Sequence, residues 1–123
     1  MDASAVLRRL VETIDDRAWD DLPGLLAPDF TSTLAHTRER FDRDGWVRLN
    51  ADYPGFGRAT LAQIVGDGDR AAARAHVAGM IDGVEAHFEV AMFATTRDGL
   101  VTEMVEVWAD CDADPPAGTR PAL

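Results

Sequence analysis

The carboxylate with the best-defined setting is Glu106. It lies in an alternating run, Val101–Asp110, that places Thr102, Met104, Glu106 and Trp108 on one face of a strand and Glu103, Val105 and Val107 on the other. A carboxylate shut in with Trp and Met loses hydration, which disfavours its charged form and raises its pKa. Such a group serves as a general acid or base near neutral pH. On the solvent face it would be an ordinary surface charge. His36 closes a second alternating run, in phase with Phe30, Ser32 and Leu34. An imidazole can accept, donate or coordinate, which makes His36 a second acid/base or ligand-donor candidate.

His76, His87 and Glu89 are the remaining cluster of ligand-type residues. With Asp82-Gly83 as a hairpin turn, Ile81 faces Val84 and His76 faces Glu89, on the side away from Trp108. That is a cross-strand pair of the ordinary structural kind. The chain has no HxH or HExxH spacing, so no metal site is expected. It has no GxSxG, and Cys111 stands alone without a nearby base in the sequence. Gly66-Asp67-Gly68 is too short and too acidic to cradle phosphate, and reads as a turn. No cofactor is expected.

The elements that must hold these residues follow from periodicity. Val6, Leu7, Leu10, Val11 and Ile14 form a helical stripe over residues 3–17. Trp19 to Leu26 predicts a short second helix with Pro23 in its first turn, ended by Pro28. Phe30–His36 predicts a strand, and Thr37–Asp44 a charged loop. Asp42 or Asp44 then caps a third helix whose face carries Trp46, Leu49, Asn50 and Tyr53. From residue 58 the period is that of strands: 58–65, 71–81, 84–96 and 101–110, with Asp-Gly turns at 82–83 and 98–99. Residues 112–123 are rich in Pro, Gly and Ala and predict a flexible tail, with Arg120 or Leu123 placed to fold back on the rest. Residues 1–111 are the expected domain.

The formal charge of −10 argues against nucleic acid and against anionic membrane surfaces. No apolar run approaches the length of a membrane span. The N-terminus lacks the pattern of a signal peptide, and a single cysteine excludes an intrachain disulfide, so a cytoplasmic location is expected.

Ile14 to Phe30, IDDRAWDDLPGLLAPDF, resembles the helix–turn–helix–strand entry of the nuclear transport factor 2-like and SnoaL-like superfamily. Arg97 to Asp110, RDGLVTEMVEVWAD, resembles its final hairpin. The resemblance spans residues 4–110. It implies an α+β fold in which N-terminal helices pack in a strongly curved antiparallel sheet, mixed at one edge, that forms a cone with a central cavity. The superfamily's cavity tryptophan corresponds to Trp108, which puts Glu106 and Met104 inside. The three catalytic positions of ketosteroid isomerases fall on Leu10, Met92 and Leu34, all apolar, so the resemblance implies walls there rather than that chemistry. Polyketide cyclases of this superfamily carry a carboxylate seven residues after the turn glycine, which is Glu106 from Gly99; their partner histidine falls on Met92. Phe30, Trp46 and Tyr53 complete the expected lining. The implied protein binds a small apolar or ring-bearing organic molecule, with Glu106 and His36 as its acid/base groups. A non-catalytic ligand-binding or protein-interaction domain is the alternative. By alternation Arg74, His76, Met80, Phe93, Val105 and Val107 share the outer sheet face, through which a homodimer is expected.

Overall fold

The computed structural model describes residues 1–122. Helix α1 (Ala3–Asp15) is followed by a 3-10 turn (Leu22–Leu25), strands β1 (Leu26–Leu34) and β2 (Glu39–Asp42), helix α2 (Arg43–Ala51), and strands β3 (Phe56–Asp67), β4 (Arg70–Ile81), β5 (Val84–Arg97) and β6 (Leu100–Asp110). The six strands form one open sheet in the order β2-β1-β6-β5-β4-β3. Only β1 and β6 run parallel; every other neighbouring pair is antiparallel.

The start of α1 is fixed by Asp2, whose side chain accepts from the Ala5 N–H at 2.9 Å. Its stripe of Val6, Leu7, Leu10 and Val11 is buried against β3 and β4. Those strands offer small side chains inward, namely Ala59, Ala71, Ala73 and Ala75. Alanine is a poor strand former, but here it lets a helix lie close to the sheet. Gly66 marks the closest approach, because a Cβ there would run into the Ser4 hydroxyl. Fully burying each Val or Leu of the stripe contributes about 1.5–3 kcal/mol.

The far end of α1 is tied to β3 by Asp15. Its carboxylate accepts from Arg58 Nε at 2.9 Å, from Arg58 Nη2 at 3.0 Å and from the Ala59 N–H at 2.9 Å. The Arg58 hydrogen bonds hold its pKa below the ordinary 3.8, against the opposing effect of burial. A depressed carboxylate pKa stabilises the fold above the unfolded value, and that contribution disappears as pH falls through the folded value. Asp15→Asn is therefore expected to lose about 1 kcal/mol at pH 7, because Arg58 is well exposed and the pair is screened. The difference from wild type should shrink below pH 3.8 in acid-unfolding curves.

Asp82-Gly83 and Asp98-Gly99 are both two-residue turns with positive φ at each position, as the Asp-Gly signal predicts. Asp67 pairs with Arg70, so the turn between β3 and β4 is Gly68-Asp69 alone. Three expectations need correction. The stretch through Pro28 is already strand, since β1 begins at Leu26; its pairing with β6 is interrupted between Leu26 and Thr31, and this irregularity accommodates a proline without an N–H. The charged segment after β1 is not only loop: Glu39–Asp42 pairs with β1 as an edge strand, and its charges guard that edge. On β6 a register shift at Thr95/Thr96 turns Val101 inward as well as Met104, and Thr102 donates to the Thr95 carbonyl instead of joining the inner row.

No helix among the described residues is long and apolar enough to cross a membrane. Residues 112–122 run exposed without helix or strand; Leu123, a proposed contact of the tail, lies outside the described residues.

Candidate functional site

Asp42 caps α2 by accepting from the Gly45 N–H at 2.8 Å, and this aims the helix face of Trp46, Leu49 and Asn50 at the sheet. A pocket of about 380 Å³ opens between that face, the end of α1 and the inner surface of β3–β6. Its wall is mostly apolar and aromatic: Val11, Ile14, Trp19, Leu34, Trp46, Leu49, Tyr53, Phe56, Phe88, Val90, Met92 and Trp108. The polar wall groups are Glu106, His36, Asn50, Thr37, Glu39 and Asp110.

Glu106 is 5% exposed. Its neighbours across the ladder are Leu34 on β1 and Met92 on β5, so no charged residue faces it directly on either adjacent strand. Its partners are a helix residue, a β1 residue two positions from the facing Leu34, and a β6 residue two positions along its own strand. Trp46 Nε1 donates to Oε2 at 2.8 Å, Ser32 Oγ donates to Oε2 at 3.3 Å, and Trp108 Nε1 donates to Oε1 at 3.3 Å. Burial pushes the Glu106 pKa up from the ordinary 4.5; the two indole donors, Ser32 and the charge of His36 oppose it. Oε2 thus carries two donors, one of them close. Oε1 has a single long contact and is the oxygen left to exchange a proton with a guest. The indoles cannot accept a proton, so no relay leads from Glu106 through them.

The other candidates are placed as follows. Leu34, Met92, Trp46, Tyr53 and Trp108 line the pocket, with Tyr53 58% exposed at its mouth. Leu10, Phe30 and Met104 do not; they are fully buried in the core cluster. Leu10 is spent on the contact of α1 with the sheet, and the Phe30 ring backs Trp46 at 5.5 Å between centroids. His36 sits in the turn after β1, which ends at Leu34, two residues earlier than alternation suggests; it is exposed and lies on the rim. His76 and Glu89 pair across β4 and β5 on the outer face, at 2.7 Å. Trp46 and Ser32 as donors to Glu106 were not foreseen. The phase of Ser32 with Leu34 was visible, but nothing local links either residue to position 106.

An open mixed sheet packed with two helices around an apolar pocket is the cone-type fold of nuclear transport factor 2-like and SnoaL-like proteins. The chain belongs to the SnoaL-like domain family, whose model matches residues 7–104. Among solved structures it is similar to a candidate ketosteroid isomerase from Kribbella flavida, with 27% identity over 98% of this chain and 88% of the other, at a TM-score of 0.80. It is also similar to IdmH, a candidate polyketide cyclase from Streptomyces antibioticus, with 25% identity over 85% of this chain and 90% of the other, at a TM-score of 0.73. An epoxide hydrolase from M. tuberculosis, 15% identical over 87% of this chain and 82% of that one at a TM-score of 0.74, shares the fold. Comparison with curated proteins gives no match.

Proposed function

We propose that the pocket binds a small, neutral, ring- or carbonyl-bearing organic molecule and that Glu106 transfers a proton to or from it without a cofactor. The observation that carries this reading is a nearly fully buried carboxyl group, one of whose oxygens, Oε1, is only lightly held, on the wall of an apolar pocket of molecular size. Glu39 and Asp110 on the wall, and the net charge of −10, act against an anionic guest. The kinship with a candidate cyclase and a candidate isomerase supports acid/base chemistry on a carbon framework. In this reading burial raises the Glu106 pKa and favours its neutral form, which can polarise a carbonyl, while the ionised form can remove an adjacent C–H proton. The test is solvent deuterium exchange into a panel of cyclic ketones, followed by NMR. Exchange that requires Glu106 supports the proposal. Uptake of the same ketones without exchange supports the second reading, a non-catalytic binding domain, which is favoured by the lack of a close titratable partner for Glu106 on β1 or β5.

For assembly, we propose a homodimer through the outer sheet face. It is supported by Phe93 and Val107, which are 52% and 44% exposed there beside the Arg74–Glu89 ion pair. Phe93→Asp is expected to give monomers in sedimentation at micromolar concentration, with an unchanged far-UV spectrum. A monomeric wild type would refute the interface.

A further inference from the structure

The outer face also carries a cluster on the opposite side of the sheet from Glu106. His76 on β4 stands across from Glu89 on β5, with Nδ1 and Oε2 2.7 Å apart. His76 Nε2 lies 2.8 Å from His87 Nδ1, and the two rings are 5.1 Å apart. Cys111 gives its N–H to the carbonyl of His87 at 2.9 Å, so the ladder continues one residue past β6 and brings the cysteine beside these groups. One ligand atom each from His76, Glu89 and Cys111 lie within 4.8 Å of one another, and all three residues are half-buried. None of the three lines the pocket.

We propose that His76, Glu89 and Cys111 form a binding site for a borderline-soft divalent cation of the zinc class. A thiolate, an imidazole and one carboxylate suit zinc and cobalt and are wrong for magnesium or calcium, which take oxygen ligands. Bonds of about 2.0–2.3 Å require ligand atoms to stand closer together than 4.8 Å, and rotation of side chains on a fixed ladder closes that gap. The surroundings already have the form of an outer shell. Arg74 holds the other Glu89 oxygen, Oε1, and His87 Nδ1, itself backed by Glu85 at 3.2 Å from Nε2, holds His76 Nε2, the ring nitrogen not paired with Glu89. The ion must displace the thiol proton and separate the His76–Glu89 pair. Ligand spacing in the sequence is uninformative because the donors sit on separate strands; only the register unites them.

The test uses the full chain, reduced and stripped of metal, titrated with Co²⁺ and then Zn²⁺. One equivalent of cobalt per chain is expected, with a thiolate-to-metal charge-transfer band that zinc removes. Zinc should also raise the melting temperature, since it binds the folded state. Cys111→Ser is expected to abolish the band and, like His76→Gln, to weaken binding by about 100-fold. Glu106→Gln and Phe93→Asp should bind as wild type does. No saturable binding at micromolar cobalt, no rise in melting temperature, or a thiolate band that survives His76→Gln would overturn the proposal. Loss of binding in Phe93→Asp would overturn a site built within one chain.

Discussion

Glu106→Gln is expected to abolish proton transfer in the pocket while leaving uptake of the guest nearly unchanged. Glutamine keeps the shape and keeps an oxygen for Trp46 and Ser32, but it can neither give nor take a proton at the pocket-facing position. Loss of a positioned acid/base group costs about 10²–10⁴-fold in rate, so deuterium exchange should fall to the level of buffer. The pH dependence has a defined sign. Burial raises the folded-state pKa above the ordinary 4.5, so the protonated form persists into a range where exposed carboxylates are ionised. If ionised Glu106 is the base, exchange rises with pH through that raised value. Stability runs the other way. A raised carboxylate pKa favours the fold fully below the unfolded value, and that advantage is lost as pH climbs through the folded value. Relative to Glu106→Gln, wild type should therefore lose melting temperature as pH rises from 4.5. Parallel melting curves for the two proteins from acid to neutral pH would show that the carboxyl is solvated. Undiminished exchange in the variant would remove Glu106 from the chemistry.

The parts of this molecule that could be read from the sequence are those governed by neighbours in the chain. Asp-Gly pairs announced the turns at 82–83 and 98–99, because φ is positive at both positions and Asp-Gly accommodates that best. Local spacing offered Asp42 or Asp44 as the cap, of which Asp42 serves, and set Trp46, Leu49 and Asn50 on one face of α2; Tyr53, also expected on that face, lies past the helix, which ends at Ala51. What escaped depends on contacts between distant segments. Glu39–Asp42 has no apolar alternation and is a strand only because β1 is there to pair with it. The shift at Thr95/Thr96 changes which side chains of β6 turn inward, and periodicity carries no mark of it. Leu10 was expected on the pocket wall from the resemblance, and Phe30 and Met104 because they share faces with true lining residues. Whether such a residue meets the cavity or another side chain depends on how far α1 and Trp46 fill the cone, which is a matter of volume rather than pattern. The setting of Glu106 was legible in part: its phase with Trp108 was clear, but its closest donor arrives from α2, on the far side of the pocket.

That donor gives the second large effect. Trp46→Phe is expected to lower stability by about 2–3 kcal/mol and to move the pH profile of exchange upward. The ring is 1% exposed and packs on Phe30, so a smaller ring leaves a void. The indole N–H also makes the shortest hydrogen bond to Glu106, and bonds to charged groups are the stronger ones. A domain of this size should lose about 5–15 °C in melting temperature. Because the indole favours the ionised carboxylate, its removal lets desolvation push the Glu106 pKa still higher, so a base-dependent limb shifts to higher pH. Trp108→Phe should act in the same direction but less, since its bond is longer, at 3.3 Å, and only partly buried. The order of the two variants separates electrostatics from packing. If Glu106 were a spectator held in a structural network, both substitutions would lower the melting temperature and neither would move the exchange profile. A larger pH shift in Trp108→Phe than in Trp46→Phe would mean that Oε1, not Oε2, is the anchored oxygen, and would reverse the direction in which the carboxyl presents its proton to the pocket.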